Sequence, residues 1–318
     1  MAGLPLSVPV VPLGASGIEV SRLALGSWRT FERISRGRGV SVMRAARDAG
    51  ITFLDDARYN DESGSAPIPS GYSEVVFGEL FRAAGWRRAD TIVSNKLWWE
   101  FWPRQSPREE LTESLGRMGL DYLDLLYSEV PPPDVPLADA VGMITELVGS
   151  GLARGWGTLN WTPAQMEQAR VLAAAAGVSG PVATQPPYSL VTRQFVEDPA
   201  MARVAAERGI AIVASYTLAG GVLTGKYRAD PAAGRAAGQL EQPRYARGAA
   251  AGIQLAGLAA DLGAGPAQLA MAFALLNPSV TTVLFGATTP EQVAANVGAL
   301  DLAASLPAEA IGRLRAIG

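Results

Sequence analysis

Along this chain, short apolar runs bounded by turn residues alternate with longer amphipathic runs, and no break in composition interrupts them. Residues 20–28, 51–57, 91–97, 122–130, 153–160, 181–189, 210–217 and 281–287 read as strands. Residues 41–50, 73–85, 107–119, 136–151, 163–177, 201–209, 266–277 and 290–300 read as helices. The helix signals are local: Val42, Ala45, Ala46 and Ala49 share one face ahead of a stop at Gly50. Ser73 is the expected N-cap of the second helix, and Pro107 opens the third with acids in its first turn, as the helix dipole prefers. Strands that are apolar throughout, rather than on alternate residues, are covered on both faces, which implies a parallel sheet wrapped by helices. Eight such units in 318 residues imply an α/β fold with a closed (β/α)8 barrel, a single domain over residues 1–318.

The composition narrows the chemistry. There is no histidine, so neither the commonest general acid–base nor the commonest metal ligand is present. There is no cysteine either, which removes disulfides, thiolate nucleophiles and Cys-ligated metals, and no metal site is expected. A net charge of −3 without a basic stripe argues against a nucleic-acid partner. The N-terminal stretch MAGLPLSVPVVPLG lacks a basic region and is broken by prolines, so it does not read as a signal peptide. No apolar run approaches the roughly 18 residues needed to cross a bilayer. The expectation is a cytoplasmic protein with no membrane partner, monomeric or homo-oligomeric, acting on a small molecule. Its Ala, Gly and Arg richness resembles that of a high-GC bacterium.

In a barrel, polar residues at the C-terminal ends of the strands converge on one mouth. Asp55 and Asp56 end the second strand, with Tyr59 just beyond; Lys96 ends the third, Glu129 the fourth, Asn160 the fifth and Gln185 the sixth. Taken singly, a strand-end lysine is often a solvated rim residue and an Asn or Gln a turn former. Together they form a proton-handling and amide-binding set: a Lys–Asp pair lowers the pKa of a neighbouring tyrosine, and the amides suit a flat carboxamide. Two loops interrupt the rhythm on this face, a polar one at 60–71 and an Ala/Gly/Arg-rich one at 226–248, the latter expected to be mobile. Trp98, Trp99 and Trp102, with Phe101, crowd the loop after Lys96, and with Trp28 they suggest walls for a flat or hydrophobic substrate.

These words, in this order, resemble the aldo-keto reductases over nearly the whole chain. LGASGIEVSRLALGSW is similar to that family's N-terminal β-hairpin and first strand. GITFLDDA, SNKL, WGTLNW, SYTLAGGVLTGKY and FGATTPEQVAANVGAL match its later words. The resemblance implies an NADPH-dependent oxidoreductase. Asp55, Lys96 and a tyrosine would be catalytic, and Asn160 and Gln185 would hold the nicotinamide carboxamide. Leu218 and Gly220 would lie along the pyrophosphate. Lys226, Thr288 and Gln292 would meet the adenosine 2′-phosphate, with Gly286 and Asn296 beside the adenosine.

The chain departs from the family's pattern at several positions. The family's tyrosine falls at Asn60, and Tyr59 sits one residue early; Tyr59 is taken as the relay, ahead of Tyr72. Ser215 stands where an aromatic ring stacks on the nicotinamide, with Tyr216 next to it, and Leu159 replaces a serine. Glu129 occupies the place of the family's histidine, as glutamate does in its steroid double-bond reductases. That implies hydride transfer to a conjugated C=C, with Glu129 protonated in an apolar pocket. Alternatives are an ionised Glu129 beside the C=N of a cyclic imine, ordinary aldehyde or ketone reduction, and a catalytically weak NADPH-binding sensor in which Glu129 pairs with Lys96.

Overall fold

The structure is a computed structural model, describing residues 7–62, 64–229 and 236–318. An antiparallel hairpin, β1 (Val10–Pro12) and β2 (Glu19–Ser21), precedes eight parallel strands. These are β3 (Leu23–Gly26), β4 (Phe53–Asp55), β5 (Ile92–Leu97), β6 (Leu123–Ser128), β7 (Ala153–Thr158), β8 (Ala183–Thr184), β9 (Ala211–Ala214) and β10 (Val280–Phe285). They follow one another around a closed barrel, β10 pairing with both β9 and β3. The expected (β/α)8 architecture and its N-terminal hairpin are both present.

The hairpin shuts the end of the barrel away from the strand-end residues. Its turn docks at the start of β9, where the Ala15 N–H donates to Gly209 O at 2.8 Å. Gly14 has φ +55°, and a Cβ there would stand 2.0 Å from Gly209 O, so only glycine permits this approach. Leu13, Ile18 and Val20 then join Phe53, Leu125, Tyr127 and Val213 inside the barrel. Each fully buried aliphatic side chain contributes about 1.5–3 kcal/mol.

Strand register sets the level of the functional groups. Gly26 pairs with Asp55, and Asp55 with Ser94. Lys96 pairs with Tyr127, and Tyr127 with Gly157. Gly157 makes room for the tyrosine, since a Cβ there would lie 3.0 Å from its ring and 2.6 Å from Ala183 O.

Several boundaries differ from the sequence reading. The run 20–28 is two strands, broken at Arg22, whose guanidinium donates to Thr281 O at 2.8 Å and Leu275 O at 3.1 Å. The first helix starts earlier, at Arg36, capped by the Ser35 hydroxyl. The second helix is Tyr72–Ala83 with Gly71, in the left-handed region, as N-cap. Ser73 lies inside it and donates to Ala57 O at 2.8 Å. The segment 226–248 is no single loop: it carries a short helix, Lys226–Ala229, and the start of Pro243–Asp261, a 19-residue helix that sequence reasoning missed. Six residues of that segment, 230–235, lie outside the described residues. The helix Ala308–Arg315 was missed too. Among the described residues no single helix is long and apolar enough to cross a membrane.

Candidate active site

The C-terminal ends of the strands open into a cavity of about 820 Å³, within the size range of cofactor sites. On its floor stand Asp55 and Lys96, both 4% exposed in their side chains. Lys96 Nζ donates to Asp55 Oδ2 at 2.5 Å and to Asp56 O at 2.7 Å. The other Asp55 oxygen accepts from Ser94 Oγ at 2.5 Å and Gln185 Nε2 at 3.1 Å. A buried charge pair needs such extra bonds to offset desolvation. Of the three ammonium donors, two are committed to these partners, leaving one for the cavity. The Tyr127 ring closes the far side, 5.6 Å from Nζ. Burial, then the charge of Asp55, pushes the Tyr127 phenol well above its usual range.

Asp56 points the other way, into the protein. Its carboxyl is fully buried, receives the Ser27 hydroxyl on Oδ1 and leaves Oδ2 without a partner among the described residues. Burial first, then the charge of Glu74, raises its pKa to about 8. Glu74 is itself satisfied by Asn95 Nδ2 at 2.7 Å and Arg117 Nε at 2.5 Å.

Most residues singled out from the sequence line this cavity. Trp28, Trp98, Asp55, Lys96, Asn160, Gln185, Ser215, Tyr216, Leu218, Gly220, Lys226, Gly286, Thr288, Gln292 and Asn296 all do. Four do not. Tyr59 is half-buried, and its hydroxyl accepts the Arg29 N–H at 3.1 Å. Burial and then a hydrogen bond to Glu32 raise its pKa. Trp99 is buried beneath the mouth, its indole N–H donating to Ser128 Oγ at 3.0 Å. Trp102 packs edge-on against it with centroids 5.9 Å apart. These two aromatics build the loop rather than the cavity wall.

Glu129 is the fourth. Its carboxylate accepts from Asn160 Nδ2 at 2.7 Å and from the Val130 N–H at 3.1 Å. It is half-buried, not sealed in an apolar pocket, and Lys96 has Asp55 as its partner instead. An acid holding its proton for a substrate would leave one oxygen facing the cavity; here both oxygens accept N–H donors.

The loop after Lys96 is held from behind. Glu110, from the helix Pro107–Met118, accepts the backbone N–H groups of Trp98 at 2.7 Å and Trp99 at 3.1 Å. Arg58 reaches Glu110 at 3.2 Å and Glu100 at 2.8 Å, and Asn60 also donates to Glu100, at 2.7 Å. Asn60 thus sits in the wall of this network.

The mouth is lined by backbone in unusual conformations. Among the described residues five non-glycines have positive φ, and three of them, Arg29, Asn160 and Tyr216, line the cavity. Such strain collects where function over-determines the backbone. Gly220 and Gly221, also at positive φ, form a concave turn that leads to Lys226, whose Nζ stands 5.0 Å from the Tyr227 ring. The helix Pro290–Val297, capped by Thr289, begins at the same cavity. Thr288 gives both its N–H and its hydroxyl to Gln292 Oε1, at 2.8 and 3.1 Å.

A glycine turn, a lysine, hydroxyls and a helix start around one cavity fit a dinucleotide: amides and hydroxyls for phosphates, and the Asn160 and Gln185 side chains for a carboxamide. Three cavity arginines, Arg29, Arg33 and Arg38, were missed in the sequence, although four arginines between residues 29 and 38 just after the first strand were a signal. Among the described residues no cluster of acids could hold a metal ion.

The aldo/keto reductase family model matches residues 22–318. The chain is 32% identical to a protein of Oryza sativa subsp. japonica named a probable voltage-gated potassium channel subunit beta, over 96% of this chain and 95% of that one. It is also 32% identical to an Arabidopsis thaliana protein of the same name, over 91% of this chain and 90% of that one. With the barrel, the strand-end Lys–Asp pair and the cavity in place, these matches establish that the chain belongs to the aldo/keto reductase family.

Proposed function

We propose that this protein is an NADPH-dependent reductase that delivers hydride to an activated double bond, and that a protonated cyclic imine on a hydrophobic or aromatic molecule is its preferred acceptor, ahead of a conjugated C=C. The observation that carries this reading is the position of Tyr59, whose hydroxyl is bonded to the Arg29 N–H and to Glu32 rather than to Lys96. Reducing a ketone makes a strongly basic alkoxide and requires a proton donor at the oxygen. Reducing an enone makes a less basic enolate. Reducing an iminium requires hydride alone: its carbon accepts the hydride, the C=N π pair becomes the amine lone pair, and no proton leaves the protein.

Electrostatics support the same order. Lys96 is offset by Asp55 at 2.5 Å, so the floor presents no net positive charge to repel a cationic acceptor. NADPH, when bound, supplies the hydride. Asn160 and Gln185 would orient its carboxamide, the turn at Gly220 and Gly221 its pyrophosphate, and Lys226, Thr288 and Gln292 its 2′-phosphate. Trp28 and Trp98 would sandwich the acceptor.

A second reading has its own support. Relatives are named subunits of a potassium channel, and a site without a positioned tyrosine suits a protein that binds NADPH and turns over slowly. One experiment separates the two. Oxidation of NADPH by purified protein is followed between about pH 5 and 8 with a cyclic imine, a cyclic enone, and a matched aldehyde and ketone. Turnover of the imine well above the carbonyls supports the proposal. Preferential aldehyde reduction sinks it, and tight NADPH binding with no turnover of any acceptor favours the regulatory reading.

A further inference from the structure

Three arginines reach the cavity from one ten-residue stretch, and their charges are not equivalent. Arg29 is paired with Glu62. Arg33 is paired with Glu32 at 3.0 Å and Glu62 at 3.5 Å. Arg38, on the exposed face of the helix Arg36–Asp48, has no ion pair among the described residues. The acid whose charge it does feel is Glu291. That carboxylate is occupied at its own helix end: its own backbone N–H first, then the Thr289 hydroxyl, hold it below the usual carboxylate range. Two of the three guanidiniums are therefore already neutralised, and one is not.

Arg38 faces the adenosine end of the cavity. The helix that carries it packs against Pro290–Val297, and Arg38 lines the same space as Lys226, Thr288, Gln292 and Asn296. Gln292 spends its oxygen on Thr288 and keeps its amide N–H groups for the cavity. A phosphate monoester carries up to two negative charges at neutral pH, more than one lysine offsets, and a guanidinium supplies a planar pair of donors that matches it.

We propose that Arg38 is a specificity residue for the cofactor, reading the 2′-phosphate of NADPH from the first barrel helix together with Lys226; this rests on the NADPH reading above. The residue comes from outside the loop after β9 and the helix Pro290–Val297 that the sequence motifs mark, so it makes the preference for a phosphorylated ribose depend on a further element of the cavity wall.

The test uses two probes that differ only in the phosphate of interest, 2′,5′-ADP and 5′-AMP, titrated by calorimetry into the full-length protein and its Arg38→Ala and Arg38→Lys variants. Unliganded thermal unfolding serves as the check on folding. The expected result is that Arg38→Ala weakens 2′,5′-ADP about ten- to hundredfold, as loss of a charged hydrogen-bonding partner does, while 5′-AMP is unchanged and Arg38→Lys is intermediate. Equal weakening of both probes, or of neither, overturns the role of Arg38. If the unaltered protein itself fails to prefer 2′,5′-ADP, the NADPH reading falls first, and the role of Arg38 falls with it. If the unaltered protein prefers it and Arg38→Ala keeps that preference, only the inference about Arg38 is lost.

Discussion

The floor and the rim of the cavity hold charge in opposite ways. On the floor every charged group has an assigned partner: Lys96 with Asp55, and Asp55 also with Ser94 and Gln185. The groups sit on strand ends, are almost completely buried and are fixed by register. On the rim the cations ride on loops and helix starts, Arg38 is exposed, and their charge is only partly offset. A buried charge without a partner costs several kcal/mol, so the floor must be solved within the fold. An exposed one costs little, so the rim can keep surplus charge for a ligand. Mutations should accordingly separate: on the floor they act on stability, on the rim on binding alone.

The sharpest way to break that division is Lys96→Met. It leaves Asp55 buried without its cation and should cost about 3–5 kcal/mol in denaturant unfolding. A Lys96→Met variant of unchanged stability would mean that the pair is open to water and the floor is no different from the rim. Asp56 tests the floor through pH. Its folded pKa, raised to about 8, lies above its unfolded value, so the native state holds a proton that the unfolded state releases. The stability from that proton is complete below about pH 4 and is lost as pH rises to about 8, at no more than roughly 1.4 kcal/mol per pH unit. Asp56→Asn should flatten this decline, so that the variant gains on the unaltered protein between pH 5 and 8. Parallel stability curves for the two proteins would remove the buried proton.

On the rim, Lys226→Ala should weaken NADPH about tenfold with no change in the unfolding midpoint of the unliganded protein, measured by fluorescence titration and calorimetry. A fall in that midpoint would show that the lysine is structural. The smallest effect is expected at Tyr59. Tyr59→Phe should change imine turnover by about twofold or less, whereas removal of a working proton relay costs about 10²–10⁴-fold. A loss on that scale would return Tyr59 to the catalytic set and reopen ketone reduction.

The same division explains what the sequence made legible. Floor residues are tied to strands, and strand ends can be located from apolar periodicity; Asp55, Lys96 and Gln185 were therefore found together. The cofactor words in the loop after β9 and around the last barrel helix also put their residues on the cavity. The departures came where tertiary contacts decide. Tyr59 stands just before a loop that a bridge between Asn60 and Ser70 closes, and that closure, with the Arg29 N–H, sets where its hydroxyl goes. The tryptophans after Lys96 look alike in sequence, yet Trp98 faces the cavity while Trp99 and Trp102 fold inward. The helix Pro243–Asp261 was overlooked because its Ala- and Gly-rich start weakens the helical signal, although Pro243 marks its first turn. Arg38 was passed over because a surface arginine on a helix is ordinary until a cavity is seen beside it.

Trp98 is held in place by its main chain: Glu110 accepts its backbone N–H, and Arg58 anchors Glu110 from the other side. The indole itself carries none of that support, and its Nε1 has no partner among the described residues. A wall built this way separates where a side chain stands from what the side chain is. Exchange at this one position would reshape what the cavity admits while the scaffold that aims it stays intact, so a lineage could change its diet here by single substitutions without relearning how to fold.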